Sequence, residues 1–126
     1  ELELLHHCPN GGSRNKAEAV KLKQMGVKAG IPDLCLPVPM GVYSGLYIEM
    51  KYDTGRLEDS QKKMLKALAA AGHYCTVCYG AEEAIRVLQE YINLKKIDTG
   101  NREDAMSEQN LMIRKNGKVK CIIFKE

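Results

Sequence analysis

The spacing of hydrophobic and polar positions changes along the chain, and each spacing predicts a type of element. Short apolar runs are typical of strands, and apolar residues three or four positions apart are typical of helices. In chain order the pattern predicts strands at 33–38 and 46–52, a helix at 58–71, a strand at 73–79 and a helix at 81–94. The loop 39–45 is short enough for the first two strands to be antiparallel neighbours. This order predicts an α/β fold with a mixed central sheet flanked by helices.

The two ends of the chain add further elements to this core. Residues 2–7 are compatible with a short strand, and a helix at 16–25 is expected to end at Gly26. Near the other end, two alternating segments flank Asn116-Gly117, which is a strong hairpin signal. We expect a core at 1–94, a polar linker at 95–110 and a β-hairpin at 111–126. The hairpin is compatible with three roles: extending the sheet, forming a dimer interface or contacting DNA.

The two best helices have apolar stripes that predict which side faces the sheet. In the first helix the stripe consists of Leu57, Met64, Leu65 and Leu68, and the amide of Gln61 lies on the same stripe. A polar group on that side needs a hydrogen-bond partner. In the second helix the predicted inward face consists of Ala84, Ile85, Leu88, Tyr91 and Ile92.

Composition and charge narrow the class of protein only slightly. The chain has 126 residues and a formal net charge of +3, and no apolar run approaches the ~20 residues needed to cross a bilayer. We expect a soluble, single-domain protein without a signal peptide or a membrane partner. Basic residues cluster before residue 30 and again at 56–66, on either side of the segment 49–51. These clusters suit nucleic acid, although solvated helix faces would have the same composition.

Cysteine and histidine usage argues against a disulfide framework and against a zinc site. The five cysteines are odd in number and irregularly spaced, which favours a reducing compartment such as the cytoplasm. Cys75 and Cys78 lie in a predicted strand, which would direct the two thiols to opposite faces. His6, His7 and His73 lie on or beside strands without a nucleophile motif, so a metal-free hydrolase that uses Cys or His has little support.

Asp33, Glu49 and Lys51 form the constellation that carries chemistry. Asp33 begins one predicted strand, and Glu49 and Lys51 lie two positions apart on the next, hence on one face. Pairing these strands would place two carboxylates and an ammonium together, and a divalent cation, Mg²⁺ or Mn²⁺, suits such carboxylates. A bound metal would polarise a phosphate and activate water, while Lys51 orients that water or offsets charge on phosphorus. The alternative is that Glu49 and Lys51 are neighbours on a solvated strand.

Several linked motifs in a fixed order add a resemblance to this pattern. They are Pro9-Asn10-Gly11-Gly12, the run Gly26 to Leu34, Tyr47-Ile48-Glu49-Met50-Lys51, Gly55-Arg56-Leu57 and Gln61. Over roughly residues 5–94 the chain closely resembles the virus-type replication-repair nuclease (VRR-NUC) family of the PD-(D/E)xK nuclease superfamily. The resemblance implies a restriction-endonuclease-like core with the predicted hairpin as an addition.

The resemblance also implies roles for individual residues. Asp33 and Glu49 match the metal-binding acids, and the Met50 carbonyl would be a further metal ligand. Lys51 matches the catalytic lysine, and Gln61 matches the glutamine of the following helix. The family usually has a glutamate on a helix ahead of the Pro-Asn-Gly-Gly loop. Here that helix is not found, and Glu1, Glu3 and Glu18 are poor substitutes for the glutamate. Asp59 stands where many members have proline.

The function expected from residues and resemblance together is Mg²⁺-dependent hydrolysis of DNA. Small members resemble homodimeric resolvases of four-way (Holliday) junctions, and two symmetric cuts need two sites. Alternatives are a flap or nicking nuclease, or a non-catalytic DNA-binding or assembly module. Neither a small-molecule cofactor nor a membrane partner is expected, and a bacterial or phage-infected cytoplasm is the expected location. The residues expected to contact DNA are Asn10, Arg14, Lys16, Lys28, Arg56 and Lys62.

Overall fold

The computed structural model describes residues 2–9, 16–26, 28–94 and 110–123. A 3₁₀ turn at Leu2–Leu4 precedes the first strand. The remaining elements in these ranges are β1 (His6–His7), α1 (Lys16–Gln24), β2 (Leu34–Leu36), β3 (Leu46–Lys51), α2 (Asp59–Ala70), β4 (Tyr74–Tyr79), α3 (Ala81–Ile92), β5 (Asn110–Lys115) and β6 (Lys118–Ile123). Most of the predicted linker lies outside the described residues.

The described strands form one mixed sheet in the order β1-β2-β3-β4-β5-β6. The first three are antiparallel neighbours, whereas β3, β4 and β5 are parallel, and β6 returns antiparallel to β5. Parallel neighbours need a crossover. The helix α2 provides the one between β3 and β4, and α3 lies between β4 and β5 in the chain. The predicted α/β fold with a mixed sheet and a C-terminal hairpin is confirmed.

The helices α2 and α3 each cover one face of the sheet with an apolar cluster. The α2 face contains Leu65, Ala69, Cys75, Val77 and Leu111. The α3 face contains Leu36, Val38, Met40, Leu46, Ile48, Cys78, Ala84, Val87 and Tyr91. Cys75 and Cys78 fall in different clusters, because residues three apart in a strand point to opposite faces. All five cysteines are described, and none of them forms a disulfide.

Three details differ from the sequence-based predictions. The inward face of α3 is centred on Ala84, Val87 and Tyr91, whereas Ile85 is 54% exposed, because helical spacing alone does not fix which side the sheet covers. The segment 2–7 contains only a two-residue strand after the 3₁₀ turn. Asp33 lies one residue before β2 rather than within it.

The hairpin adds two strands to the sheet, and α3 holds it in place. Asn116 and Gly117 have φ of 52° and 74°, the left-handed pair that a tight hairpin turn requires. The buried Arg114 guanidinium donates to Glu90 Oε2 at 2.6 Å. The buried Glu83 carboxylate accepts from the Gly117 N–H at 2.7 Å. Among the predicted roles of the hairpin, the structure therefore shows sheet extension.

A search of the helices in the described ranges for one long and apolar enough to span a bilayer finds none.

Candidate active site

The first carboxylate, Asp33, sits where strand β2 stops. The last β2–β3 pair on this side is Leu34 with Ile48, so β3 continues beyond its antiparallel neighbour. The Asp33 carboxylate takes the position that a longer β2 would occupy beside β3, because its Oδ2 atom accepts a hydrogen bond from the Met50 N–H at 2.8 Å. The N–H and C=O groups of one strand residue point to the same edge of the strand. The Met50 carbonyl therefore points to the edge where Asp33 lies.

The second carboxylate, Glu49, is almost completely buried. Its exposed fraction is 2%, and its Oε2 atom has no hydrogen-bond donor among the described residues. Burial raises the pKa of Glu49 to about 8, helped by the Asp33 charge and by a carboxyl-carboxyl hydrogen bond, while Lys51 opposes the shift. Two neighbouring carboxyl groups repel each other when both are ionised, and a bound cation offsets that repulsion. The pair has the character of a cation site.

Lys51 and Gln61 complete the cluster through one hydrogen-bonded network. Lys51 Nζ donates to Gln61 Oε1 at 2.9 Å and lies 3.9 Å from Glu49 Oε1. The Gln61 amide donates to Glu49 Oε1 at 3.3 Å. Gln61 Oε1 also accepts the Glu58 N–H at 2.9 Å, in the capping arrangement that begins α2. The hydrogen-bond partners expected for the Gln61 amide on an apolar stripe are therefore Glu49 and Lys51.

The backbone of Gly30 explains part of the motif that precedes Asp33. Gly30 has φ of +79°, and a Cβ placed there would lie 2.3 Å from Ser60 O and 2.9 Å from Gln61 N. Only glycine permits this approach to the first turn of α2. The segment that carries Asp33 and the helix that carries Gln61 are thus in direct backbone contact.

Two residues that the sequence analysis did not select hold the loop after Lys51. The Tyr79 hydroxyl donates to Gly55 O at 2.6 Å, and Lys115 Nζ donates to Asp53 O at 2.9 Å. Lys115 also lies over the Tyr79 ring, 4.5 Å from its centre. The alternating pattern of the hairpin marks Lys115 as a strand residue. Its nearness to the loop depends on β5 pairing with β4, which the pattern does not show.

The residues expected to contact DNA are dispersed. Arg56 is exposed in the loop between Lys51 and α2, and Lys62 is exposed next to Gln61, so both flank the cluster. Lys28 is exposed shortly before Asp33. Asn10 and Arg14 lie outside the described residues, and Lys16 is described only as the first residue of α1.

The donor set fits a hard divalent cation. Two carboxylates and one backbone carbonyl are oxygen donors of the kind that Mg²⁺ and Mn²⁺ prefer, and Glu49 offers a buried oxygen that no donor among the described residues reaches. No group of three or more His, Cys, Asp or Glu side chains able to hold a metal occurs in the ranges that the structure describes. Glu3 is exposed in the 3₁₀ turn, and Glu1 lies outside the described residues.

Comparison with known proteins assigns this fold and site to a class. The model of the VRR-NUC domain matches residues 1–82. A solved structure described as a VRR_NUC domain protein superposes with a TM-score of 0.66 at 39% sequence identity, covering 76% of this chain and 73% of that one. The comparison with curated proteins found no match. The fold and the family define a nuclease-type, DNA-processing domain. The chain belongs to the VRR-NUC domain family.

Proposed function

We propose that the chain is a metal-dependent endonuclease that hydrolyses phosphodiester bonds in branched DNA. The observation that carries the proposal is the burial of the Glu49 carboxyl group near the Asp33 charge and 3.9 Å from the Lys51 ammonium, with one Glu49 oxygen lacking a donor among the described residues. A solvated strand would leave Glu49 and Lys51 hydrated. Here Glu49 is buried and Lys51 is held, which supports the catalytic interpretation.

Each residue of the cluster has a distinct part in the proposed reaction. The carboxylates of Asp33 and Glu49 and the Met50 carbonyl would hold Mg²⁺ or Mn²⁺. When bound, the metal polarises the scissile phosphate and lowers the pKa of the attacking water. Lys51 presents its ammonium beside the carboxylates, where it orients the water and offsets charge that builds up on phosphorus. Gln61 fixes the Lys51 ammonium through its Oε1 atom.

Branched DNA and a homodimer are the finer part of the proposal. The described residues of one chain contain one such cluster, and a four-way junction is resolved by two cuts on strands related by near two-fold symmetry. A C2 dimer supplies both sites. The cytoplasm of a bacterial or phage-infected cell is the proposed location, and it suits a protein whose five thiols are all unpaired in the structure.

The test is cleavage of labelled four-way junction, flap and linear duplex DNA with Mg²⁺, with Mn²⁺ and with EDTA. We expect metal-dependent, symmetric cutting of the junction by a dimeric protein, measured by gel and by light scattering. Asp33→Ala and Lys51→Ala should each lower the cleavage rate by about a thousandfold, since an electrostatic contribution of several kcal/mol is lost. Lys63→Ala removes the same charge from the exposed side of α2 and is the matched control. Equal activity in Lys51→Ala and Lys63→Ala would contradict the proposal.

A DNA-binding or assembly module that does not cut is the second candidate. It is favoured by the small number of carboxylates at the site, because Asp33 and Glu49 are not joined by a third acid within the described residues. Junction binding by the wild-type chain without cutting in either metal would support this module and reject the nuclease.

A further inference from the structure

A row of basic residues continues from Lys51 across the sheet onto the hairpin. Lys51 pairs with Tyr79, Lys115 lies over the Tyr79 ring, and Lys115 pairs with Lys118 on β6. Residues that pair directly across neighbouring strands share a face of the sheet. Lys115 and Lys118 therefore lie on the same face as Glu49 and Lys51. Lys120, two residues further along β6, shares that face too.

Two of these lysines are available to a ligand, whereas Lys115 is held by Asp53 O and the Tyr79 ring. Lys118 and Lys120 are exposed, and neither forms an ion pair with any residue in the described ranges. The helix α2 packs on β4 and β5. Ile122, on the same face of β6, remains 36% exposed. The lysine-bearing face of β6 is therefore open to solvent beside the candidate active site.

The hairpin holds these lysines in a fixed position relative to the site. Lys115 Nζ donates to Asp53 O in the loop after Lys51, and Arg114 is ion-paired with Glu90 at 2.6 Å. Glu83 accepts the N–H of Gly117 in the turn just before Lys118. Because the hairpin is tied to the core at three points, its lysines are placed in advance of binding, which lowers the entropic cost of association.

We propose that Lys118 and Lys120 bind the phosphodiester backbone of the DNA substrate a short distance from the cut. The proposal rests on the proposed function, because the DNA would reach Lys51 at the same time. Neighbouring strands are about 4.8 Å apart, so β6 lies roughly 14 Å from β3. DNA carries one phosphate per about 3.4 Å along each strand. The lysines would therefore contact phosphates about four nucleotides from the scissile one.

Lysines on an edge strand also prevent sheets of different molecules from pairing. That role does not require both lysines to lie on the face that carries Glu49 and Lys51. It also gives no reason for them to continue the row from Lys51 through Lys115. Charge complementarity and continuity with the candidate site favour DNA, and the experiment below separates the two roles.

The experiment is equilibrium binding of the full chain to a fluorescent short duplex and a four-way junction, in EDTA and over a series of salt concentrations. The test variant is Lys118→Gln/Lys120→Gln. The matched control is Val119→Glu/Cys121→Glu, which changes the net charge equally on the same strand but on its opposite face, where both residues are exposed. Lys118→Arg/Lys120→Arg keeps the charge. Thermal unfolding and light scattering establish that each variant is folded and in the wild-type oligomeric state.

We expect the glutamine variant to bind about tenfold more weakly and its slope of log affinity against log salt to fall by about 1.8, since two phosphate contacts are lost. The control and the arginine variant should keep the wild-type slope. An unchanged slope in the glutamine variant, an equal loss in the control or no DNA binding by the wild type would overturn the proposal.

Cleavage of the same substrates separates this proposal from the proposed function. A chain that cuts DNA while the glutamine variant binds like the wild type would retain the nuclease and reject the lysine surface. A chain whose binding depends on the lysines, but which cuts nothing, would retain the lysine surface and reject the nuclease.

Discussion

At the scale of single residues, Gln61 connects the start of α2 with Glu49 and Lys51 of the candidate site. Its Oε1 atom accepts from both Glu58 N and Lys51 Nζ, and its amide donates to Glu49. A capping interaction that begins α2 is thus also the interaction that positions the Lys51 ammonium. For this reason the site is sensitive to any change that displaces the first turn of α2.

Gly30 gives a sharp test of that sensitivity. A Cβ at Gly30 would meet Ser60 O at 2.3 Å, so Gly30→Ala must move the first turn of α2. Gly26→Ala is the matched control, because Gly26 also has positive φ, +95°, but has nothing within 4 Å. We expect Gly26→Ala to cost about 1–2 kcal/mol of unfolding free energy. Gly30→Ala should cost more, by at least ~1 kcal/mol, and lower the cleavage rate. Denaturant unfolding and DNA cleavage measure both effects, and equal losses would contradict the packing argument.

The raised pKa of Glu49 predicts how the free energy of unfolding depends on pH and on bound metal. The pKa of Glu49 is about 8 in the folded protein and near 4.5 in the unfolded chain. The stability that the protonated Glu49 carboxyl contributes is therefore complete below about pH 4.5 and is lost as the pH rises through 8. One pKa unit corresponds to about 1.4 kcal/mol, so the loss is on the order of a few kcal/mol. Without metal, we expect the unfolding temperature to fall by roughly 5–10 °C between pH 5 and pH 9.

Mg²⁺ should reverse that fall, because it binds the deprotonated carboxylate and its stabilising effect therefore grows with pH. Thermal unfolding in EDTA and in Mg²⁺ over this pH range measures both trends. Glu49→Gln should weaken the dependence on pH and on Mg²⁺, whereas Asp59→Asn, at an exposed acid of α2, should leave both unchanged. The interpretation is wrong if Glu49→Gln responds to pH and Mg²⁺ as the wild type does.

At the scale of elements, α3 attaches the hairpin to the core. Its Glu90 pairs with the Arg114 side chain, which is only 6% exposed and also contacts the Tyr74 hydroxyl at 3.1 Å. Its Glu83 contacts the turn of the hairpin. The position of β5 beside β4 is therefore supported by buried polar contacts as well as by the sheet ladder.

Removing the Glu90 charge should loosen the hairpin. Glu90→Gln leaves a buried guanidinium without its anion, which should cost about 1–3 kcal/mol of unfolding free energy and raise hydrogen exchange in β5 and β6. Glu82→Gln is the matched control, because its pair with Arg86 spans 3.9 Å and its side chain is 90% exposed, so the expected cost is below about 0.5 kcal/mol. Adding Arg114→Met to Glu90→Gln should recover part of the loss. Equal costs at Glu82 and Glu90 would show that the ion pair with the buried Arg114 contributes no more than an exposed one.

At the scale of the whole molecule, the candidate site lies where the end of β3 has no neighbouring strand on its β2 side. β2 stops before β3 does, and Asp33 fills the exposed edge of β3. The same end of the sheet leads through Tyr79 to Lys115 and β6. A DNA strand that crosses this end of the sheet from β3 to β6 would pass the carboxylates first and the hairpin lysines next. The hairpin lies beyond residues 1–82, which the family model matches.

The sequence by itself determined the order and type of the elements, since local spacing of apolar residues fixes secondary structure. It also determined that Glu49 and Lys51 lie on one face of a strand, because residues two apart in a strand share a face. The short loop 39–45 predicted that the segment beginning at Asp33 is the antiparallel neighbour of that strand. It gave Gln61 as a polar residue on an apolar stripe, and the turn chemistry of Asn116-Gly117 predicted the hairpin.

Only the tertiary structure decided how distant segments meet. The burial of Glu49, the backbone contact between Gly30 and Ser60, and the pairing of β5 with β4 each join residues far apart in the chain. The exposure of Ile85 was decided in the same way, by which side of α3 the sheet covers. Sequence periodicity reports only local preference. Burial and strand pairing depend on the free energy of bringing two surfaces together, and that free energy is not a property of either surface alone.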